Sequence, residues 1–163
     1  MVMTLHRSES GTFFPCREDG GPSFVGAGAG TGYHINVAWN TDAESEGTGS
    51  GPGAHEYRYA CEQLLFPIAK EFKPDLILIS CGFDSAIHDP LGESQLCPLA
   101  YYWMTRELLN ICEKMVVIQE GGYNTDFLGQ HASGVVKALL KIIPESPTQA
   151  DIDAGITSIE DIR

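Results

Sequence analysis

"DLILISCGFDSAIHDPLG", residues 75–92, decides the fold. Its first half is an unbroken apolar run, and Asp75 to Ile79 reads as a strand buried on both faces. The run then gives way to an aspartate, a histidine and a second aspartate: Asp84, His88 and Asp89. Acid and imidazole groups just past a buried strand mark either a polar turn or a site.

Working outward, the elements on both sides alternate. From His55 to Phe72 apolar residues recur at helical spacing (Tyr57, Ala60, Cys61, Leu64, Leu65, Ile68, Phe72). Pro67 lies inside that pattern and is expected to kink it, and Lys73-Pro74 ends it. A second helix is predicted from Pro98 to Glu113, a strand from Met115 to Gln119 and a turn at EGGYN. A third helix is predicted from Thr125, a suitable N-cap, to Ile143, just before Pro144. Toward the N-terminus, Val2 to Leu5 is a short apolar run, Gly20 to Gly32 is glycine-rich, and Tyr33 to Trp39 alternates as a strand. Residues 40–54 read as a loop. Strand and helix in alternation predict an α/β fold, a mainly parallel sheet with crossover helices on both faces. Ligands of such sheets sit beyond the carboxyl ends of the strands. Asp84 and Tyr123 follow two such ends, with one crossover helix between them.

The 163 residues suit one domain, with 43% hydrophobic and 20% charged residues. A formal net charge of -12 argues against nucleic acid or an anionic membrane as partner, and permits a basic protein partner or a purely solubilising surface. Five scattered cysteines without a C-x-x-C pair fit reduced intracellular thiols, in the nucleus or cytoplasm. No stretch approaches the roughly 20 apolar residues that span a bilayer, and the N-terminus lacks the apolar region of a signal peptide.

Locally, the chemistry stays open. Asp84 and the pair His88-Asp89 carry donors for a metal such as zinc, yet loop aspartates also cap helices and bind backbone amides. Asp89-Pro90 favours turn initiation. Tyr123 follows Gly121-Gly122 and reads either as an oxyanion donor or as a half-buried aromatic beside a turn. The GAGAGTG run lacks phosphate-loop spacing and reads as a flexible loop. Phe13-Phe14 reads as channel wall or plain core.

Taken together, "MTLHRSESGTFFP", "GAGAGTGYHINVAWN", "FPIAKEFKPDLILISCGFDSAIHDPLG" and "VVIQEGGYN" resemble the zinc-dependent histone deacetylase family, which has an arginase-like α/β fold. "GTGYHINVAWN" and "DPLG" are most similar to its class IIb branch. The resemblance implies hydrolysis of N-acetyl-lysine in histones or in cytoplasmic proteins such as tubulin. It implies zinc on Asp84, oxyanion stabilisation by Tyr123, and a substrate channel formed by Phe14, Leu96, Gly121 and Gly122. It also implies a monovalent cation such as K+ at Thr4 and Leu5, where the family has serine and leucine.

The family's His-His pair and D-x-H motif, upstream of "LHR", have no counterpart here. The expectation is therefore the carboxyl half of a catalytic domain over residues 1–143, followed by a polar acidic tail over 144–163. Such a chain is expected to be inactive alone, and to look to a missing N-terminal half or a corepressor-type partner. Two alternatives are a truncated non-catalytic interaction module and an acetylpolyamine deacetylase.

Overall fold

The apolar run at Val2 forms a strand, β1 (Val2–Arg7), in the computed structural model, which describes residues 1–41 and 51–162. Residues 42–50, within the loop expected over 40–54, lie outside the described residues. β1 pairs in parallel with β2 (His34–Trp39), Val2 opposite His34 and Arg7 opposite Trp39. Three short 3-10 turns, at Glu9–Gly11, Glu18–Gly20 and Gly28–Gly30, join the two strands without a crossover helix. Side chains fix this connection to the strands. Thr4 donates to Asn36 Oδ1 across the pair (2.8 Å), and Asn36 Nδ2 donates to the carbonyls of Asp19 and Gly21 (3.0 Å each). The chain divides into two compact units, Met1–Gly51 and Pro52–Arg163, and this sheet belongs to the first.

The second unit begins with the predicted helix, which forms as α1 (Ala54–Ala60) and α2 (Phe66–Phe72) joined by a π turn over Cys61–Leu65. Pro67 sits in the first turn of α2, where its missing N–H costs no bond. The break falls before it: the Phe66 N–H bonds Cys61 O, five residues back. One extra residue in a turn rotates everything after it around the helix axis. That rotation buries Phe66 and Ala69 and leaves Leu64 and Phe72 exposed, contrary to the simple helical count. Lys73 closes α2 in the left-handed conformation (φ 53°).

β3 (Ile77–Cys81) starts two residues later than the apolar run predicts, and pairs in parallel with β4 (Met115–Gln119), whose bounds match the prediction. α3 (Pro98–Ile111) is the crossover between them, and α4 (Thr125–Leu139) packs against α3. The fold is α/β, with parallel strand pairs and helices. The all-apolar strands predict burial on both faces, yet Leu78, Val116 and Ile118 are exposed. Side chains alternate between faces of a strand, and the described residues leave these positions to solvent. Such an uncovered apolar face favours association.

Residues 144–163, expected as a polar tail, carry α5 (Gln149–Asp153) and a final 3-10 turn (Ile159–Ile162). Asp151, 1% exposed, holds the segment in place. One carboxylate oxygen accepts from the Leu99 N–H in the first turn of α3 (2.7 Å). The other accepts from the Thr148 N–H and hydroxyl (2.8 Å each). A buried carboxylate at a helix N-terminus satisfies orphan donors and meets the positive end of the dipole.

α4 meets the start of α3 at Gly134, where a Cβ would lie 2.3 Å from the Pro98 carbonyl oxygen. Gly129, in the same helix, faces open space. Gly134→Ala is expected to destabilise the unit by about 1–3 kcal/mol or more through overpacking. Gly129→Ala should be neutral or stabilise by up to about 1 kcal/mol. Urea unfolding of the two variants measures the contrast, and equal midpoints would contradict it.

Candidate functional site

The loop leaving β3 folds back on itself over residues 85–96. The Leu96 N–H bonds Ser85 O (3.1 Å) and the Ile87 N–H bonds Leu96 O (2.8 Å), which closes residues 85–96 into a tight excursion. Inside it, Gly92 lies directly over Asp84: a Cβ there would stand 1.5 Å from the Asp84 carbonyl oxygen. The glycine of "DPLG" is thus a steric requirement of the loop.

The turn leaving β4 meets this loop at Asp84. Gly121 (φ 79°) and Gly122 (φ 104°) take conformations that L side chains rarely adopt. A Cβ on Gly121 would touch the Asp84 carboxyl carbon at 3.4 Å, and one on Gly122 would collide with the Phe83 Cβ at 2.7 Å. The two glycines let the backbone lie against Phe83 and Asp84, and the next residue is Tyr123, whose side chain is 55% exposed. Asp84 is half-buried. Burial raises its pKa above the ordinary carboxylate value, the N–H groups of Asp84 and Ser85 pull the other way, and the charge of Asp89 raises it further. A carboxylate in such surroundings gains from a cation.

Asp89, which the sequence offers as a metal donor or a turn former, and Asn124 of the EGGYN turn join the loops. Asp89 accepts from Leu91 N and Gly92 N in its own loop and from Tyr123 N in the other (2.7 Å). Asn124, the N-cap of α4 in place of the expected Thr125, accepts from Asp126 N and donates to the His88 carbonyl (2.7 Å). Asn-Thr-Asp just before an amphipathic run is the signal that could have found it. His88 pairs with Asp153 of α5 (2.7 Å) and stacks near Phe127 of α4 (4.6 Å).

Beneath the loops, the fully buried Tyr101 donates to Gly82 O (3.1 Å), and its ring lies between Phe83 (5.1 Å) and His131 (5.9 Å). Neither ring nitrogen of His131 has a hydrogen-bond partner among the described residues, and burial lowers its pKa to about 4.

The structure therefore brings Asp84 against Gly121 and its neighbour Phe83 against Gly122, while the Tyr123 N–H meets Asp89. Leu96 is 1% exposed and offers a ligand no surface, which corrects its expected place on a channel wall. The side chain alternates inward there because the bonds to Ser85 and Ile87 hold its backbone on both sides. The leucine of this loop with surface to offer is Leu91, 51% exposed. Phe14, 83% exposed, and Thr4 and Leu5 of β1 belong to the first unit, where the Thr4 hydroxyl is engaged by Asn36 and lies 2.9 Å from His6 Nδ1.

Zinc bound for catalysis takes three protein ligands and keeps one position open. Among the described residues no three His, Cys, Asp or Glu side chains gather to hold a metal, so these residues alone do not fit one. Cys81 is near Asp84, but burial pushes its thiol up to about 11, far from the thiolate that metals bind.

Comparison with known proteins gives a consistent result. The pattern of the histone deacetylase domain family matches residues 1–139. Histone deacetylase 18 of Arabidopsis thaliana is 39% identical over 142 residues, which are 86% of this chain and 20% of that protein. The structure of the histone deacetylase Clr3 superposes with a TM-score of 0.80 at 33% identity, covering 98% of this chain and 26% of that one. The HDA15 HD domain superposes at 0.77 and 37% identity, covering 98% and 41%. The chain spans about a fifth of the length of the curated relatives it matches.

His131 supplies a pH prediction. Its folded pKa of about 4 lies below the 6.5 of a free histidine, so between those values the unfolded chain takes up a proton that the folded chain refuses. This contribution to stability is complete above pH 6.5 and is lost as the pH falls toward 4. Chemical denaturation across that window should show the loss in the natural protein and a shallower dependence in His131→Phe. Equal slopes would contradict the buried neutral imidazole.

Proposed function

The chain belongs to the histone deacetylase family, and we propose that it furnishes the aspartate and tyrosine side of a protein lysine deacetylase site. The observation that supports this most is the contact of Gly121 with the Asp84 carboxyl, which joins the carboxyl ends of two adjacent parallel strands at one point. Asp84 is one zinc ligand of a set that the described residues leave incomplete. Tyr123, two residues beyond Gly121, is read as the phenol of the site, a donor for the oxygen of an acetyl-lysine amide as charge develops there.

The half-exposed ring of Tyr123 suits that task, since its hydroxyl must meet a ligand and not a core partner. Leu91, in the same unit as Asp84 and Tyr123, is an exposed apolar side chain offered to the aliphatic stem of an acetylated lysine. We assign the chain to the carboxyl part of a catalytic domain of the class IIb kind, on the "GTGYHINVAWN" and "DPLG" blocks. Its substrates are N-acetyl-lysines of histones or other proteins, in nucleus or cytoplasm.

Residues 1–163 alone are expected to bind zinc weakly through Asp84 and to leave acetyl-lysine peptides intact. Calorimetric zinc titration should show weak binding that Asp84→Ala removes, and a fluorogenic acetyl-lysine peptide should show no turnover. Zinc binding that is unchanged in Asp84→Ala, or hydroxamate-sensitive turnover by residues 1–163, would contradict the reading.

A further inference from the structure

The Tyr123 side chain faces a mechanical problem. It follows two glycines, both at positive φ, which are the residues least able to hold the direction of whatever comes next. More than half of its surface is open, so packing does not fix the ring either. Whatever aims the phenol must therefore act on the backbone around it.

The Asp89 carboxylate does this. Its Oδ1 accepts from Leu91 N (2.9 Å) and Gly92 N (3.1 Å), a local turn of the kind that aspartate before proline forms readily. Its Oδ2 reaches across 34 residues and accepts from the Tyr123 N–H itself, at 2.7 Å. Hydrogen bonds to an ionised carboxylate are shorter and stronger than neutral ones. The peptide plane entering Tyr123 is thus tied to the same carboxylate that shapes the "DPLG" loop. A second tie runs beside it, from Asn124 Nδ2 to the His88 carbonyl (2.7 Å). Residues 88–89 and 123–124 are stitched in both directions: a side chain of the first loop holds the backbone of the second, and a side chain of the second holds the backbone of the first.

We propose that Asp89 is a positioning residue for Tyr123, clamping its backbone amide so that the phenol stands beside Asp84 despite the Gly-Gly turn before it. The inference rests on the reading of Tyr123 as the donor to the substrate oxygen, and it adds the group that keeps that donor in place.

The test uses the full chain without metal or substrate, so its outcome is separable from that of the zinc titration. In isotope-labelled wild-type protein, a through-hydrogen-bond coupling is expected between the Tyr123 amide nitrogen and the Asp89 carboxyl carbon. The Tyr123 amide should exchange about tenfold more slowly than in Asp89→Ala. With 3-fluorotyrosine at position 123, the fluorine line should be sharp in the wild type and shifted or broadened in Asp89→Ala, while the β3 and β4 amides keep their protection. A wild-type Tyr123 amide that shows no coupling and exchanges freely would overturn the proposal, and needs no variant to fold. It would also be overturned by a fluorine line indifferent to Asp89→Ala, or by protection lost across the whole unit together.

Discussion

Two adjacent parallel strands end at the same edge, and that constraint organises the candidate site. β3 and β4 run in register from Ile77 opposite Met115 to Cys81 opposite Gln119, so the chain leaves both within a few ångströms of one point. There the two exits must pass each other. They manage it because one side of the crossing is glycine: Gly121 against the Asp84 carboxyl, Gly122 against Phe83, and Gly92 over the Asp84 carbonyl. A side chain at Gly122 would collide with the other loop, one at Gly92 would clash within its own loop, and one at Gly121 would be strained by its φ of 79°. The backbones that carry Asp84 and Tyr123 are brought close because the crossing between them is lined by glycine.

The loops are then held by bonds across this crossing and by the packing below it. Asp89 and Asn124 link the two exits, Tyr101 supports Gly82 from beneath, and Asp151 fastens the C-terminal segment to the start of α3. Asp84 feels both its own burial and the charge of Asp89. A buried acid that also feels a second carboxylate is a poor resting place for a negative charge and a good one for a bound cation.

Much of this was legible in the sequence. β4 falls on its predicted bounds because Met115 to Gln119 is a short apolar run between charged residues, with nothing to shift it. β3 begins at Ile77 and not Asp75, since pairing with Met115 sets its start and hydrophobicity alone cannot. The helix before it keeps its length but not its face, because the π turn at Cys61–Leu65 breaks the 3.6-residue count that the prediction uses. The strand-end position of Asp84 and Tyr123 could be read from element order alone. Their environment could not: the Asp89 to Tyr123 bond spans 34 residues, and no local pattern announces it. Leu96 shows the same limit, since two loop bonds decide which leucine turns inward.

The central claim is that the Asp84 carboxylate and the Tyr123 ring face one metal-seeking point. Cobalt(II) is a paramagnetic stand-in for zinc, and it broadens nearby fluorine signals even when bound weakly. Titrating cobalt into the chain with 3-fluorotyrosine at position 123 should broaden that resonance, and Asp84→Ala should abolish the effect. A fluorine line untouched by cobalt, or broadened equally without Asp84, would contradict the account.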